Sequence, residues 1–152
     1  MLDIQPGSAS SAPRLLTVVR DRLFFVAHDS AGGTELWVSD GTGAGTVMVK
    51  DILPGAQGAR PRHLAAMGST LFFAADDGRN GIELWKSDGT AASTVMVEDL
   101  NEGSGGSFPH DYARVGDAVF FAADDARGFT SLWRLDAAGG LRKVPAPGDA
   151  AP

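Results

Sequence analysis

The sequence contains no cysteine. That excludes disulfides, thiolate metal sites and a cysteine nucleophile. Basic runs are also missing: 13 Lys and Arg stand against 19 Asp and Glu, a net charge of −6. An acidic chain without a basic patch is a poor partner for nucleic acid. No apolar stretch approaches the roughly 18 residues of a membrane span. The start, Met1-Leu2-Asp3-Ile4, lacks the basic head and apolar centre of a signal peptide. Helical periodicity is absent too; the Ala-rich residues 64–67 are too few and are stopped by Gly68. What is present is glycine, at 20 residues, which suits a chain of many tight turns. Apolar residues make up 43%, enough for a packed core in one domain.

The chain repeats itself. Trp37, Trp85 and Trp133 are 48 residues apart, as are Phe24-Phe25, Phe72-Phe73 and Phe120-Phe121. Pro13, Pro61 and Pro109 keep the same spacing, and so do Asp3, Asp51 and Asp99. The repeats fall at about 12–59, 60–107 and 108–152 of a single domain spanning 1–152. Each holds four short apolar runs; in the second copy these are residues 62–67, 70–75, 82–86 and 94–99. Gly68-Ser69 separates the first two runs, an Asp- and Gly-rich loop the next two, and Ser87-Asp88-Gly89-Thr90 the last two. Short apolar runs bounded by Gly, Asp and Asn predict antiparallel hairpins.

Residues 71–75 are all apolar, so both faces of that strand are expected to be buried. Small sheets covered on both faces by like sheets predict radial stacking. The expected fold is therefore all-β: three four-stranded antiparallel blades of a β-propeller. Propellers close with roughly 4–8 blades. Three blades imply a partial propeller, or half of a six-bladed ring formed by two chains. The face of the first blade bearing Phe24 and Val26, or its opposite face, would be left open, as would Phe120 and Ala122 of the third. Strand four of the third copy, residues 140–144, soon meets Pro145 and Pro147, which would blunt its edge.

The run Glu83-Leu84-Trp85-Lys86-Ser87-Asp88-Gly89-Thr90 resembles the ELWxxDGT-repeat family of bacterial proteins, described as hyalin-like or propeller-like. Residues 35–42 match the motif in full. The third copy, Ser131-Leu132-Trp133-Arg134-Leu135-Asp136-Ala137-Ala138, keeps Leu, Trp and Asp but loses Glu, Gly and Thr. The resemblance implies a long, multi-repeat protein at the cell surface or outside the cell, and carries no activity with it.

Most recurring residues have a structural assignment. Asp40, Asp88 and Asp136 are expected to accept backbone N–H bonds inside their turns. Trp37, Trp85 and Trp133 are expected to wedge between blades, with sugar stacking as the alternative. Asp29, Asp77 and Asp125, together with Asp51 and Asp99, should share one face. Calcium is their alternative role, although no dense ligand run is present. Arg14, Arg62 and His110 head the first strand of each repeat in register. They would sit at a channel mouth and could take an anion, unless the arginines pair with neighbouring aspartates. His28, His63 and His110 occupy different repeat positions, and no serine has a nucleophile-elbow context. The expectation is a non-catalytic binding or interaction scaffold that needs no cofactor, with further blades, a second copy, a protein or a glycan as partner. Adhesion spacers, or a calcium- or carbohydrate-binding module, are the alternatives.

Overall fold

The structure, a computed structural model, describes residues 3–146. They form twelve strands and no helix. The first sheet contains β1 (Arg14–Val19), β2 (Arg22–Asp29), β3 (Gly33–Ser39) and β4 (Val47–Lys50). The second contains β5 (Arg62–Met67), β6 (Thr70–Asp76), β7 (Ile82–Ser87) and β8 (Val95–Glu98). The third contains β9 (His110–Val115), β10 (Ala118–Asp124), β11 (Thr130–Leu135) and β12 (Leu141–Lys143). Each sheet is antiparallel and keeps chain order, so the protein is all-β with one four-stranded sheet per repeat.

The strands fall where hydrophobic runs meet turn residues, with small differences at the ends. β6 and β7 each extend one residue beyond their apolar runs, to Asp76 and Ser87. β8 is shorter than expected because Thr94 belongs to the turn: its Oγ1 bonds to the Thr90 carbonyl at 2.7 Å and to Ser87 Oγ at 2.8 Å. β12 likewise covers only the middle of residues 140–144. Pro145 follows it, and Pro147 lies outside the described residues.

Register places the recurring aromatics opposite one another. Phe25 faces Trp37, Phe73 faces Trp85 and Phe121 faces Trp133 across their strand pairs. Cross-strand aromatic pairs of this kind stabilise a sheet locally. They also build the cores between sheets. Phe24, Leu36 and Val38 of the first sheet pack with Leu71, Phe73 and Trp85 of the second. On the other side of the second sheet, Phe72 and Leu84 meet Val119, Phe121 and Leu135 of the third. The middle sheet is thus buried on both faces, which is why its central strands do not alternate in polarity.

Phe24 faces the second sheet, and Phe24 and Val26 are both buried. The opposite face of the first sheet, with Phe25, Ala27 and Trp37, is not left open as expected: Ile4 packs onto it and all three residues are buried. On the third sheet, Phe120 and Ala122 lie opposite the core-facing Phe121 and are half-buried, as expected. Leu132 pairs with Ala122 there and is 47% exposed.

Trp85 tests this packing. It is 7% exposed, whereas Arg79 sits exposed on a loop. Trp85→Ala is expected to cost about 3–5 kcal/mol of stability, against about 0.5 for Arg79→Ala. Urea denaturation of the two variants measures the difference; equal losses would mean that the indole is not part of an intersheet core.

Candidate functional site

The segment joining the first sheet to the second is stitched to both. On one side, Thr34 N–H donates to the Gln57 carbonyl at 3.3 Å, and Arg60 N–H donates to the Thr34 carbonyl at 2.9 Å. On the other, Asp76 N–H donates to the Ala59 carbonyl at 3.1 Å. The contact with β3 is so close that a Cβ on Gly33 would lie 2.4 Å from the Gly58 nitrogen, and one on Gly58 2.3 Å from the Thr34 nitrogen. Both glycines also have positive φ, so side chains are excluded twice over.

At the centre of this joint is Glu35, fully buried. Its Oε1 accepts the N–H groups of Ala59 at 2.8 Å and Leu53 at 3.1 Å. The next joint repeats the device. Glu83 is fully buried, and its Oε2 accepts Leu100 N–H at 3.2 Å and Ser107 Oγ at 2.5 Å. Gly81 and Gly106 replace the earlier glycine pair. The third sheet has Phe129 and Ser131 at the Gly and Glu positions, and Phe129 is 67% exposed.

Sequence reasoning treated these glutamates as parts of a motif and missed their task. The signal was a carboxylate beside a Leu-Trp pair in a central strand, as in Ile82-Glu83-Leu84-Trp85. Burial pushes the Glu35 carboxyl up to about 7, against the downward pull of its N–H donors and helped by the charge of Asp51. Burial raises Glu83 too, opposed by the Ser107 and Leu100 bonds and helped by Asp99. One oxygen of each, Glu35 Oε2 and Glu83 Oε1, has no hydrogen-bond partner, an arrangement that favours the protonated acid.

Most of the recurring aspartates accept hydrogen bonds inside their own turns, whereas Asp99 Oδ1 is buried without a partner. Asp40 Oδ1 accepts Thr42 N–H at 2.9 Å and Thr42 Oγ1 at 2.7 Å, and these bonds lower its carboxyl, the hydroxyl most of all. Asp88 is lowered the same way by Ser93 and Thr90. Asp136 Oδ1 accepts Ala138 N–H and Gly140 N–H. On the opposite loops, Asp29 accepts the N–H groups of Ala31 and Gly32. Asp77 accepts Arg79 and Asn80, bonds that outweigh its burial and lower its carboxyl. Asp125 takes Lys143 Nζ at 2.8 Å, which with the Phe129 and Arg127 N–H groups lowers its carboxyl to about 2. Among the described residues no three His, Asp or Glu side chains gather as a metal site.

Trp37 and Trp85 are buried, whereas Trp133 is half-buried and donates its Nε1–H to the Ala123 carbonyl at 3.2 Å. Lys50 Nζ bonds to the Thr94 carbonyl at 2.9 Å and lies 6.0 Å from the Trp85 ring centroid, linking the first two sheets. Two clefts, of about 450 and 460 Å³, open between adjacent sheets. Phe24, Arg22 and Asp88 border the first, and Phe72, Lys86 and Asp136 the second.

Arg14, Arg62 and His110 head three neighbouring strands, for β1 lies beside β5 and β5 beside β9. Each is followed by a non-glycine residue of positive φ: Leu15 at 56°, His63 at 54° and Asp111 at 54°. Pairing slips at these places, between Arg14 and Thr17, between Arg62 and Ala65, and between His110 and Ala113. A left-handed residue costs about 1–3 kcal/mol unless its surroundings hold it, and a bulge re-aims its side chains. Arg14 and Arg62 are exposed, and neither forms an ion pair among the described residues. His110 Nδ1 lies 3.0 Å from Asp111 Oδ2, and its ring centroid is 6.1 Å from that of His63.

No family model matches the chain, and no curated protein matches it. Among the described residues no helix is long and apolar enough to cross a membrane. Chemically, the geometry offers turn carboxylates already engaged, two buried acids, and a row of cationic groups with free donors.

Two outcomes follow from the carboxylates. Folded Glu35 binds its proton more tightly than an unfolded glutamate does. Its contribution to stability is therefore full below its ordinary value of 4.5 and is lost as pH rises toward about 7. At ~1.36 kcal/mol per pH unit the loss is about 3 kcal/mol. The lowered aspartates act oppositely, losing their contribution as pH falls below about 4. Urea unfolding from pH 4.5 to 8 should show the decline, and Glu35→Gln should flatten it; an unchanged slope would mean that Glu35 is ionised when folded. Millimolar Ca²⁺ added after chelation should move the melting temperature by less than about 2 °C, because the loop carboxylates already bond to their own chain. A larger rise that Asp77→Asn abolishes would reverse that expectation.

Proposed function

We propose that the chain is a non-catalytic binding and interaction module built as an arc of a β-propeller, with each sheet a blade. The observation that carries this reading is the order at the inner edge: the first strand of each sheet lies beside the first strand of the next. Face-to-face packing combined with adjacent first strands supports a radial arrangement in which β1, β5 and β9 line a channel. The repeated Glu-Leu-Trp and Asp-Gly-Thr elements support membership of the ELWxxDGT-repeat family and a place in an exported or surface protein. The recurring Trp, Asp and Glu residues are occupied by packing, turns and joints, which favours scaffold over catalyst.

An arc of three blades has two end faces. On the first, Phe25 and Trp37 are already buried with Ile4, and on the third lie the half-buried Phe120 and Ala122 and the exposed Leu132. The partner proposed for them is a second copy, its third blade against the first blade of its mate, closing a ring of six. Apolar surface buried at the contact contributes ~25 cal/mol per Å², and here it comes chiefly from the third blade. Association costs of about 4–15 kcal/mol offset much of that. The joint between copies would also meet Ser131 and Phe129 in place of Glu and Gly. It should therefore part more readily than the joints within a chain.

Light scattering over a range of concentrations tests the ring. The expected mass is twice 15.7 kDa, falling toward the single-chain value on dilution. Leu132→Asp should give the monomer with the β-sheet circular dichroism unchanged. A concentration-independent monomer of the unaltered chain would sink the ring.

A further inference from the structure

We propose that Arg14, Arg62 and His110 form a site for an oxyanion group, a phosphate, sulfate or carboxylate, at the heads of β1, β5 and β9. The site rests on the propeller-arc reading, because only neighbouring first strands bring the three heads into one row. Among the described residues Arg114, Arg134 and Lys143 each pair with an aspartate, and Arg14 and Arg62, like most of the chain's cations, do not. What sets these two apart is their place at the heads of neighbouring strands. Both guanidinium groups are exposed with their donors unspent, and a guanidinium fork matches the paired oxygens of a phosphate or carboxylate.

Backbone geometry adds an independent observation. The left-handed residue after each head recurs three times, on a leucine, a histidine and an aspartate. Leu15, His63 and Asp111 are all exposed, so side-chain packing does not hold them in that conformation. What the three places share is the slip in pairing that turns the head residue relative to the rest of its strand. Pro13, Pro61 and Pro109 precede the heads and restrict the chain on their other side. His110 is held through Nδ1 by Asp111, the one carboxylate in the row, which leaves Nε2 as its free ring nitrogen. When protonated, His110 presents Nε2–H as a third donor beside the two arginines.

The test is an amide ¹H–¹⁵N titration of the full chain at constant ionic strength. Sodium phosphate, sodium sulfate and sodium glucuronate are the three oxyanion probes, and glucose is the neutral control. At least one oxyanion should give saturable shifts at residues 14–15, 62–63 and 110–111, and the strongest of the three names the group. Affinity should fall about tenfold or more in Arg14→Ala and Arg62→Ala, and stay unchanged in Arg79→Ala, which removes the same charge from an exposed loop. Shifts that never saturate, or an equal loss in Arg79→Ala, would overturn the site. Nuclear Overhauser contacts between β1 and β5 and between β5 and β9, read on the same samples, separate the two readings. Contacts without saturable shifts remove the anion site and leave the arc standing; missing contacts remove both.

Discussion

Glu35 and Glu83 hold the sheets to one another. The segment that joins one sheet to the next is exposed over residues 54–57 but buried at Gly58 and Ala59, where its N–H groups cannot reach water. Glu35 takes two of the segment's N–H groups, from Leu53 and Ala59, and Glu83 takes Leu100 N–H and the Ser107 hydroxyl. Apolar contact alone is non-directional; Phe24 against Phe73 would tolerate many relative positions. Hydrogen bonds to a fixed carboxylate do not. Each carboxylate sits on the third strand of one sheet and grips the chain a few residues before the first strand of the next. It thereby sets where that next sheet begins. Desolvation is the cost, visible in the raised Glu35 carboxyl.

The glutamates need the glycines. Gly33 and Gly58 let the joining segment lie against β3 closely enough for the carboxylate to reach two N–H groups, and any side chain there would collide with backbone. Gly81 and Gly106 do the same at the second joint. The third repeat departs from this device: where Gly and Glu would stand it has Phe129 and Ser131. Trp133 and Asp136 remain, because the sheet still needs its aromatic pair and its turn.

Asp29, Asp77 and Asp125 look like a shared acidic face in sequence, yet each is folded back on its own loop. The arginines at the strand heads look like ordinary partners for those aspartates, yet they stand apart from them. A carboxylate two residues from a backbone N–H closes a local turn at little entropic expense. An exposed arginine gains little from a flexible surface pair, so it remains open to a ligand.

The sequence by itself determined the period, the twelve strands to within a residue or two, the antiparallel hairpins and the burial of both faces of the middle sheet. Those properties are local: a run such as residues 71–75 and a turn such as Asp-Gly-Thr report on their own neighbourhood. Tertiary structure alone decided that Phe24 faces the second sheet while Phe25 and Trp37 are buried with Ile4, for alternation places Phe24 and Phe25 on opposite sides without saying what covers each. It alone decided that the glutamates are buried acids holding the joints, since their partners lie 17 to 24 residues away in a segment of irregular backbone. It decided as well that neither Arg14 nor Arg62 forms an ion pair among the described residues. Pairing of side chains from different strands depends on register and bulges, and no spacing along the chain encodes the left-handed turn at Leu15, His63 and Asp111.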